Sequence, residues 1–302
     1  MNTDTVLQVR TFGGFSIRLG DREINDSGTR SRKVWLLLAY MIYHRNRPVS
    51  HEELISLLWG EEESSSNPVS ALKTVFHRLR STLDQLNPSA GHRLIVWRNG
   101  NYTWNNEVPA VVDVEEFDKL HQMGAAKTEE EGLTDYLQAL DLYHGDFLPK
   151  LSAEPWVVPI AAYYHNLYLQ ITQEVLAQLE IGNRREEAVS LCRRAVELEP
   201  YSEEIYQHLM RNLLCLGRQR EAISAYETMS QLLFANFEVT PSDETQALYR
   251  EAVRSIHDKT VSLDTLQDQL QEETPAAGAM ICDYDFFKVL YRVQARSIAR
   301  NG

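Results

Sequence analysis

The chain has 302 residues, of which 43% are apolar and 24% charged, so it can bury a core and has room for two or three domains. It contains no apolar run long enough to cross a bilayer and no leader for secretion, which predicts a cytoplasmic protein without membrane contact. The three cysteines are too widely spaced for a disulfide framework or a metal knuckle, which predicts small core residues at Cys192, Cys215 and Cys282.

The net charge of −13 is unevenly distributed along the chain. Residues 1–105 carry 13 Lys and Arg against 10 Asp and Glu, a surplus of three positive charges. The remaining residues carry 17 Lys and Arg against 33 Asp and Glu, a deficit of 16. A basic segment joined to an acidic one predicts that the two segments bind different partners.

The first predicted elements are short strands and then helices. Residues 7–24 alternate apolar and polar side chains around two glycine turns, which predicts two or three short strands. A buried helix is predicted over 31–46. A second is predicted within 48–60, where Ser50 and Glu53 have the spacing of a capping box.

A third helix and a hairpin complete this segment. Asn67 and the following proline predict a helix start, and the apolar spacing extends the helix over 67–87. The pair Asn99-Gly100 lies between two alternating runs in 92–105, which predicts a tight two-residue turn. Strands, three helices and a hairpin, in that order, are typical of a winged helix-turn-helix.

The predicted third helix has two distinct sides at 100° per residue. Its apolar side is formed by Leu72, Val75, Phe76, Leu79, Leu83 and Leu86. Its opposite side carries small, polar and cationic residues: Ser70, Thr74, His77, Arg78 and Ser81, with Lys73 and Arg80 on the flanks. No carboxylate occurs between Glu63 and Asp84, so the outer side is purely cationic.

Such a helix is typical of major-groove recognition, because Arg and Lys donate to guanine and Thr contacts base edges. We expect DNA contacts from Ser70, Lys73, Thr74, His77, Arg78 and Arg80, with Arg78 the best candidate for a base contact. Arg98 is expected to enter the adjacent minor groove from the hairpin tip. A simple solvated basic face is the alternative, and it stays open for Ser70 and His77 individually.

A second group of cations lies in the carboxylate-free stretch from Ser27 to Ser50. These side chains can bind phosphates and orient the recognition helix. The candidates are Arg30, Arg32, Lys33, Arg45 and Arg47. The neighbouring aromatic residues Trp35, Trp59, Trp97 and Tyr102 are expected to pack rather than to stack on bases.

From about Val112 the apolar spacing becomes helical, and a repeat follows. Gly182 and Gly217 are 35 residues apart, and Ala188 and Ala222 are 34 apart. A period near 34 with glycine at a turn and alanine at a helix crossing indicates helix pairs of the tetratricopeptide (TPR) type, which must stack to bury their apolar faces.

The sequence therefore predicts a mainly α protein with a small β part, in three segments. A winged helix-turn-helix domain is expected over 1–108 and an all-α TPR-like domain over 109–258. Residues 259–302 are expected to be a linker followed either by a tail packing on the repeats or by the start of a third domain, in which case the chain is a piece of a longer protein.

The sequence shows no pattern typical of catalysis. Its nine histidines lack HExxH spacing, no CxxC occurs, and neither GxxxxGK[ST] nor GxGxxG is present. Asp283 and Asp285 are expected to cap a helix rather than bind a metal. We therefore expect no enzyme activity, catalytic residue, metal or cofactor.

The residue blocks resemble a known family, over about residues 6–255. Three blocks are similar to the OmpR-type winged helix of the SARP (antibiotic regulatory protein) transcriptional activators: "GGFSIRLGDREI", "RSRKVWLLLAYMIYHRNRPVSHEELISLLWG" and "ALKTVFHRLRSTL". Three further blocks resemble the bacterial transcriptional activation domain that follows it: "VDVEEFDKL", "YHGDFLP" and "GRQREAISAYETMSQLLFANFEVTPSDETQALY".

The resemblance implies a homodimer or side-by-side pair on direct repeats of double-stranded promoter DNA, and recruitment of RNA polymerase holoenzyme. Lys73, Thr74, His77 and Arg78 would face the groove, and the loop at 60–67 would contact the polymerase. The wing positions around Arg98 and Asn99 would approach the minor groove or the backbone. The acidic run at 61–63 departs from the family pattern in that loop. An effector is expected to bind the helical domain.

We therefore predict a sequence-specific transcriptional activator. One alternative is a TPR-type adaptor between proteins, in which the winged fold makes only protein contacts. Another is a regulatory fragment of a longer nucleotide-sensing protein whose further domain follows the last residue of this chain.

Overall fold

The computed structural model describes residues 6–27, 31–60 and 67–260, together with Arg292. The chain forms two compact units, residues 1–249 and 250–302. Several predictions concern residues outside the described ranges: Arg30, the acidic run and polymerase-facing loop within 61–66, Cys282, Asp283, Asp285 and the tail beyond 260.

The strands come mainly from the first segment, as its alternating pattern predicts. In the described part of the chain they are β1 (Leu7–Arg10), β2 (Ser16–Leu19), β3 (Arg22–Asn25), β4 (Val49–Ser50), β5 (Ile95–Arg98), β6 (Asn101–Trp104) and β7 (Ala110–Val112). One sheet has the order β3-β2-β1-β7, in which β1 is antiparallel to β2 and parallel to β7. The other has the order β4-β6-β5.

In the described part of the chain, α1 (Arg32–Tyr43) lies between β3 and β4 in sequence, and α2 (His51–Trp59), α3 (Pro68–Leu83) and α4 (Ala90–Leu94) lie between β4 and β5. The Asn67 side chain accepts a hydrogen bond from the Ser70 backbone N–H at 3.0 Å, so the predicted start of α3 is confirmed. The prediction was wrong at two boundaries. Helix α3 ends at Leu83 rather than at 87, and the hairpin begins at Ile95 because α4 occupies the residues before it.

The predicted capping box at the start of α2 forms only in half. The Glu53 backbone N–H donates to Ser50 Oγ at 3.1 Å, as the spacing predicts. The Glu53 carboxylate does not return to Ser50, because it accepts hydrogen bonds from Arg47 and Tyr40 instead. The start of α2 is thereby tied to the end of α1.

The apolar side of α3 anchors the helix in the core of the winged part. All six of its predicted core residues are buried. Phe76 stacks on Tyr102 of the hairpin with ring centroids 3.6 Å apart. This contact fixes the hairpin beside α3 and leaves the other side of the helix to solvent.

The rest of the described chain is helical. The helices are α5 (Asp113–Ala125), α6 (Glu129–Leu142), α7 (Val157–Ile181), α8 (Arg185–Leu198), α9 (Glu203–Cys215), α10 (Gln219–Phe237) and α11 (Asp243–Thr260), with a short 3-10 turn at Pro149–Leu151. None of the described helices is long and apolar enough to cross a membrane. Together with the sheets, they confirm the predicted fold class: a winged helix-turn-helix part and a TPR-like helical part.

The predicted repeat with a period near 34 is confirmed. Ala188 and Ala222 are fully buried at equivalent places in α8 and α10. The residue with positive φ is Asn183 in the first turn (55°) and Gly217 in the second (72°), again 34 apart. Gly182 has a φ of −72°, so Asn183 rather than Gly182 is the structural counterpart of Gly217. Asparagine tolerates the left-handed conformation, which explains why the glycine spacing exceeds the period by one residue.

The two parts of the first unit meet at an apolar junction around Phe12. The Phe12 ring is 0% exposed, and its centroid lies 5.0 to 5.4 Å from those of Phe117, Tyr143 and Tyr164. Such aromatic contacts contribute strongly to packing and fix ring geometry. The winged part and the helical part are therefore packed against each other.

A buried carboxylate adds polar contacts to this junction. Asp113 Oδ2 accepts hydrogen bonds from the backbone N–H groups of Thr11 (2.7 Å) and Phe12 (2.9 Å), and Asp113 Oδ1 accepts one from the Thr11 hydroxyl (2.6 Å). Burial raises the pKa of Asp113, although these hydrogen bonds favour the charged form. The end of β1 is thereby joined to the start of α5.

The predicted core positions of the cysteines are confirmed at one of the two described sites. Cys192 is fully buried in α8, and burial raises the pKa of its thiol to about 12. Cys215, at the end of α9, is exposed, so the prediction of a core role was wrong there.

Candidate nucleic-acid interface

The outward face of α3 consists of exposed polar and cationic side chains: Ser70, Lys73, Thr74, His77 and Arg78. Thr74 Oγ1 donates to the Ser70 carbonyl oxygen at 3.1 Å. Within the described ranges, Lys73, His77 and Arg78 form no ion pair and no side-chain hydrogen bond. Their donors are therefore available to a ligand outside the protein.

Arg80 differs from the other predicted residues of α3. It is half-buried, and its Nη2 donates to the backbone carbonyl oxygen of Ile95 at 3.3 Å. Gly91 of α4 packs directly against the Arg80 backbone, where a Cβ atom on Gly91 would lie 2.5 Å from the Arg80 Cα. Arg80 therefore positions the hairpin against α3, and only part of its guanidinium group faces outward.

The hairpin tip has the predicted tight turn. Asn99 and Gly100 both have positive φ, 50° and 81°, as a two-residue turn of this kind requires. Arg98 is exposed beside the turn and pairs in register with Asn101 of β6. The structure thus projects Arg98 and Asn99 at the tip of a wing formed by β5 and β6.

Trp97 was expected to be a packing residue, but 46% of its surface is exposed. Its ring lies 4.5 Å from that of His51 and 4.7 Å from that of Tyr102. The wing therefore presents an outward aromatic surface that the sequence analysis missed. Side chains alternate along a strand, so a position next to exposed Arg98 predicts an inward Trp97, and the sequence pattern gave no signal of this exposure.

An open groove of about 380 Å³ runs between α3 and the wing. Its lining brings Lys73, His77, Arg80 and Ser81 together with His92 and Tyr102, and with Asp84. His92 belongs to α4, which sequence reasoning had assigned to the hairpin, so its place beside Lys73 was not foreseen. The groove joins the helix and the wing into one polar surface.

The basic residues of α1 and the loop after it are engaged within the protein. Arg32 Nη2 lies 2.8 Å from Glu154 Oε1 of the helical part, and Lys33 Nζ lies 4.9 Å from the centre of the Trp59 ring. Arg47 Nη1 donates to Glu53 Oε2 at 3.0 Å. That hydrogen bond lowers the pKa of Glu53. The phosphate contacts expected of these three cations stay a prediction.

The expectation for Arg45 was wrong. Its side chain is only 15% exposed and forms an ion pair with Glu115 of α5. It also donates to the backbone carbonyl oxygen of Ala110 at 3.3 Å. Arg45 therefore joins the winged part to the helical part, and its charge is not presented to an external phosphate.

Two family models match the chain. The model described as "Transcriptional regulatory protein, C terminal" matches residues 26–103, and the model of the bacterial transcriptional activator domain matches residues 112–253. The first covers α1 to the wing and the second covers the helical part. Both matches agree with the resemblance seen in the sequence blocks.

Named relatives carry the same combination. The chain is 27% identical to the regulatory protein AfsR of Streptomyces coelicolor over 224 residues, which are 72% of this chain and 22% of AfsR. It is 24% identical to the transcriptional regulator RedD of the same organism, over 78% of this chain and 67% of RedD. It is 26% identical to the transcriptional regulatory protein EmbR of Mycobacterium bovis, over 84% of this chain and 63% of EmbR.

A solved structure has the same fold. Mycobacterium tuberculosis EmbR, in complex with a low-affinity phosphopeptide, superposes with a TM-score of 0.54 at 20% identity, covering 87% of this chain and 70% of that one. The fold and the two matched domains define a bacterial transcriptional regulator. The chain is a SARP-type regulator, with a winged helix-turn-helix part followed by a bacterial transcriptional activator domain.

Proposed function

We propose that this regulator binds double-stranded promoter DNA in a sequence-specific way and activates transcription from it. The observation that carries the proposal is the outward face of α3, which is exposed and cationic, with no acidic partner for Lys73 or Arg78 in the described chain. Helix α3 has the length and shape to enter a major groove, where such donors read guanine.

The residues have separate proposed roles. Arg78 and Lys73 donate to base edges or to the phosphates beside them, and Thr74, His77 and Ser70 contact the groove. Arg98 and Asn99 approach the adjacent minor groove or backbone from the wing. Arg80 acts mainly by holding the wing in place, since its Nη2 donates to the Ile95 carbonyl oxygen.

The further parts of the proposal follow from the resemblance to SARP activators. The protein acts in the cytoplasm as a homodimer or side-by-side pair on direct repeats, and it recruits RNA polymerase holoenzyme. The proposed DNA-binding domain ends near residue 108 and the proposed activator domain near 258. The acidic charge of the latter weakens its attraction to DNA and leaves binding to the winged part.

The proposal is tested by mixing the protein with genomic fragments, sequencing those retained, and measuring binding to an enriched site and to its shuffled sequence. If three phosphates are neutralised, affinity falls by roughly 40-fold between about 50 and 200 mM salt. The enriched site is expected to bind at least ~1,000-fold more tightly than the shuffled one. Affinity that responds neither to salt nor to sequence would favour the adaptor alternative instead.

A further inference from the structure

A second cavity, of about 180 Å³, lies at the junction between the winged part and the helical part. One wall comes from α1, with Ala39, Ile42 and Tyr43, and the opposite wall comes from α5 with Asp118 and from Tyr164 of α7. Phe147 closes a third side. None of its lining residues belongs to α3 or to the wing, and the proposed DNA recognition makes no use of it.

Three of the eleven residues that line this cavity are aromatic, and most of the others are aliphatic. The rings of Tyr43 and Phe147 have centroids 5.7 Å apart, and those of Phe147 and Tyr164 are 6.1 Å apart. Faces of tyrosine and phenylalanine rings attract a cation placed near them, an attraction that grows when water is excluded. The arrangement therefore favours a positively charged guest with an apolar frame.

A carboxylate completes the cavity. Asp118 Oδ2 accepts a hydrogen bond from the Tyr164 hydroxyl at 2.7 Å, while no hydrogen bond to Asp118 Oδ1 occurs within the described chain. No lysine or arginine of the described ranges forms an ion pair with Asp118. A half-buried carboxylate that lines a cavity without a cationic partner is costly, so it marks a candidate binding site.

The electrostatic environment of Asp118 agrees with this assignment. Burial raises the pKa of Asp118, while the Tyr164 hydroxyl and the nearby His121 lower it. Burial raises the pKa of Tyr43 and of Tyr163, and the charge of Asp118 raises both further. The charge of Asp118 is thus felt by neighbouring tyrosines, and a bound cation would compensate it.

The volume limits the size of the guest. A cavity of about 150 Å³ admits benzene, so this one holds roughly six to eight non-hydrogen atoms. Asp118 and Tyr43 are both partly exposed, so the carboxylate end of the cavity is open to solvent. The second carboxylate of the lining, Glu115, is already paired with Arg45.

We propose that this junction cavity is a binding site for a small organic ammonium ion, held by the Asp118 carboxylate and the rings of Tyr43, Phe147 and Tyr164. The ammonium group lies at the open, carboxylate end, and the carbon frame lies against the apolar side chains of α1. This site does not depend on the proposed DNA binding, and a failure of either proposal leaves the other intact.

The test is calorimetric titration of the full chain with choline and with its neutral carbon isostere 3,3-dimethylbutan-1-ol, at constant ionic strength. Choline is expected to bind saturably, at least ~10-fold more tightly than the alcohol. Asp118→Asn, which keeps an acceptor for the Tyr164 hydroxyl, is expected to weaken choline binding by at least ~10-fold. Glu116→Gln is the matched control on the same helix, since Glu116 pairs with Lys119 outside the cavity.

A second variant tests the cavity itself. Ala39→Leu adds three carbon atoms at a buried wall position and is expected to abolish choline binding while Asp118 remains. Equal affinity for choline and the neutral alcohol would overturn the proposal. So would undiminished binding in Asp118→Asn, or the absence of saturable choline binding to the unmodified chain at about 10 mM. The last result would mean that the cavity holds water alone.

Discussion

The outward face of α3 and the basic residues of α1 have similar side chains in different environments. On α3, Lys73 and Arg78 are exposed and have no acidic partner among the described residues. Near α1, Arg32 pairs with Glu154 and Arg45 pairs with Glu115. A cation already paired with a carboxylate has less to gain from a phosphate, which is why the proposal places DNA on the outward face of α3.

The winged part and the helical part also differ in how many of their cations are paired. The helical part contains many arginines, but several are paired, as Arg193 is with Glu221 and Arg194 with Asp141. The net charge of a segment is therefore a poor guide to its ligand. The useful observation is where unpaired charge of one sign gathers on one face.

The largest expected effect is the loss of stability that follows when the junction between the winged part and the helical part is disrupted. Phe12→Ala removes a fully buried ring from an aromatic cluster and is expected to lower the free energy of unfolding by about 3–5 kcal/mol. Phe234→Ala, at an exposed ring of α10, is the control and should change it by less than about 0.5 kcal/mol. Urea denaturation measures both, and equal losses would contradict the account of the junction.

The next largest effect is expected at Arg78, on the outward face of α3. Arg78→Ala is expected to weaken binding to the enriched DNA site by about 1–3 kcal/mol and to relax the base preference at one position. Arg220→Ala, at an exposed arginine of α10, should leave the affinity unchanged. Both quantities are measured by competition binding of each protein against a panel of single-base variants of the DNA site. Unchanged base preference in Arg78→Ala would mean that Arg78 contacts only the backbone.

A smaller effect is expected at the paired cation Arg45. Arg45→Gln removes the ion pair with Glu115 and should lower the free energy of unfolding by about 1 kcal/mol. The salt dependence of DNA binding should not change, because Arg45 is not presented to phosphate. A drop of about one in the slope of log affinity against log salt would show that Arg45 contacts DNA after all.

The smallest effect is a pH dependence at Arg47 and Glu53. The hydrogen bond from Arg47 lowers the pKa of Glu53 in the folded chain, so this stabilisation is present above the unfolded pKa, near ~4.3, and is lost as pH falls through the folded value. The unmodified chain should lose up to about 1 kcal/mol more than Glu53→Gln on acidification below about pH 5. The measurement is the free energy of unfolding as a function of pH for both proteins. If the two curves run parallel, Arg47 is not held by Glu53.

The local features of the winged part could be predicted from the sequence. The two sides of α3, its Asn67 cap and the Asn99-Gly100 turn depend on residues a few positions apart, and local spacing encodes them. The environment of the cations could not be predicted in this way. Glu115 is 70 residues from Arg45, and Glu154 is 122 residues from Arg32. Only the packing of the helical part on α1 brings these charges together.

The candidate interface was predictable to the same extent. Exposure of Lys73, Thr74, His77 and Arg78 follows from the helical period, and the structure agrees with it. The inward turn of Arg80 and the place of His92 depend on α4, a five-residue helix whose sequence has no strong periodic signal. The junction cavity gave no sequence signal, since its lining comes from separate segments between Thr11 and Tyr164.

The most direct test of the claim that the outward face of α3 binds DNA is to reverse its charge. Lys73→Glu combined with Arg78→Glu should leave the fold intact, since neither side chain has a partner to lose among the described residues. Its affinity for the enriched DNA site should fall at least ~100-fold. Arg220→Glu combined with Arg250→Glu applies the same change of charge to exposed arginines of α10 and α11 that have no acidic partner among the described residues, and it should alter the affinity by less than about twofold. Equal losses in the two double variants, or no loss in the first, would contradict the account.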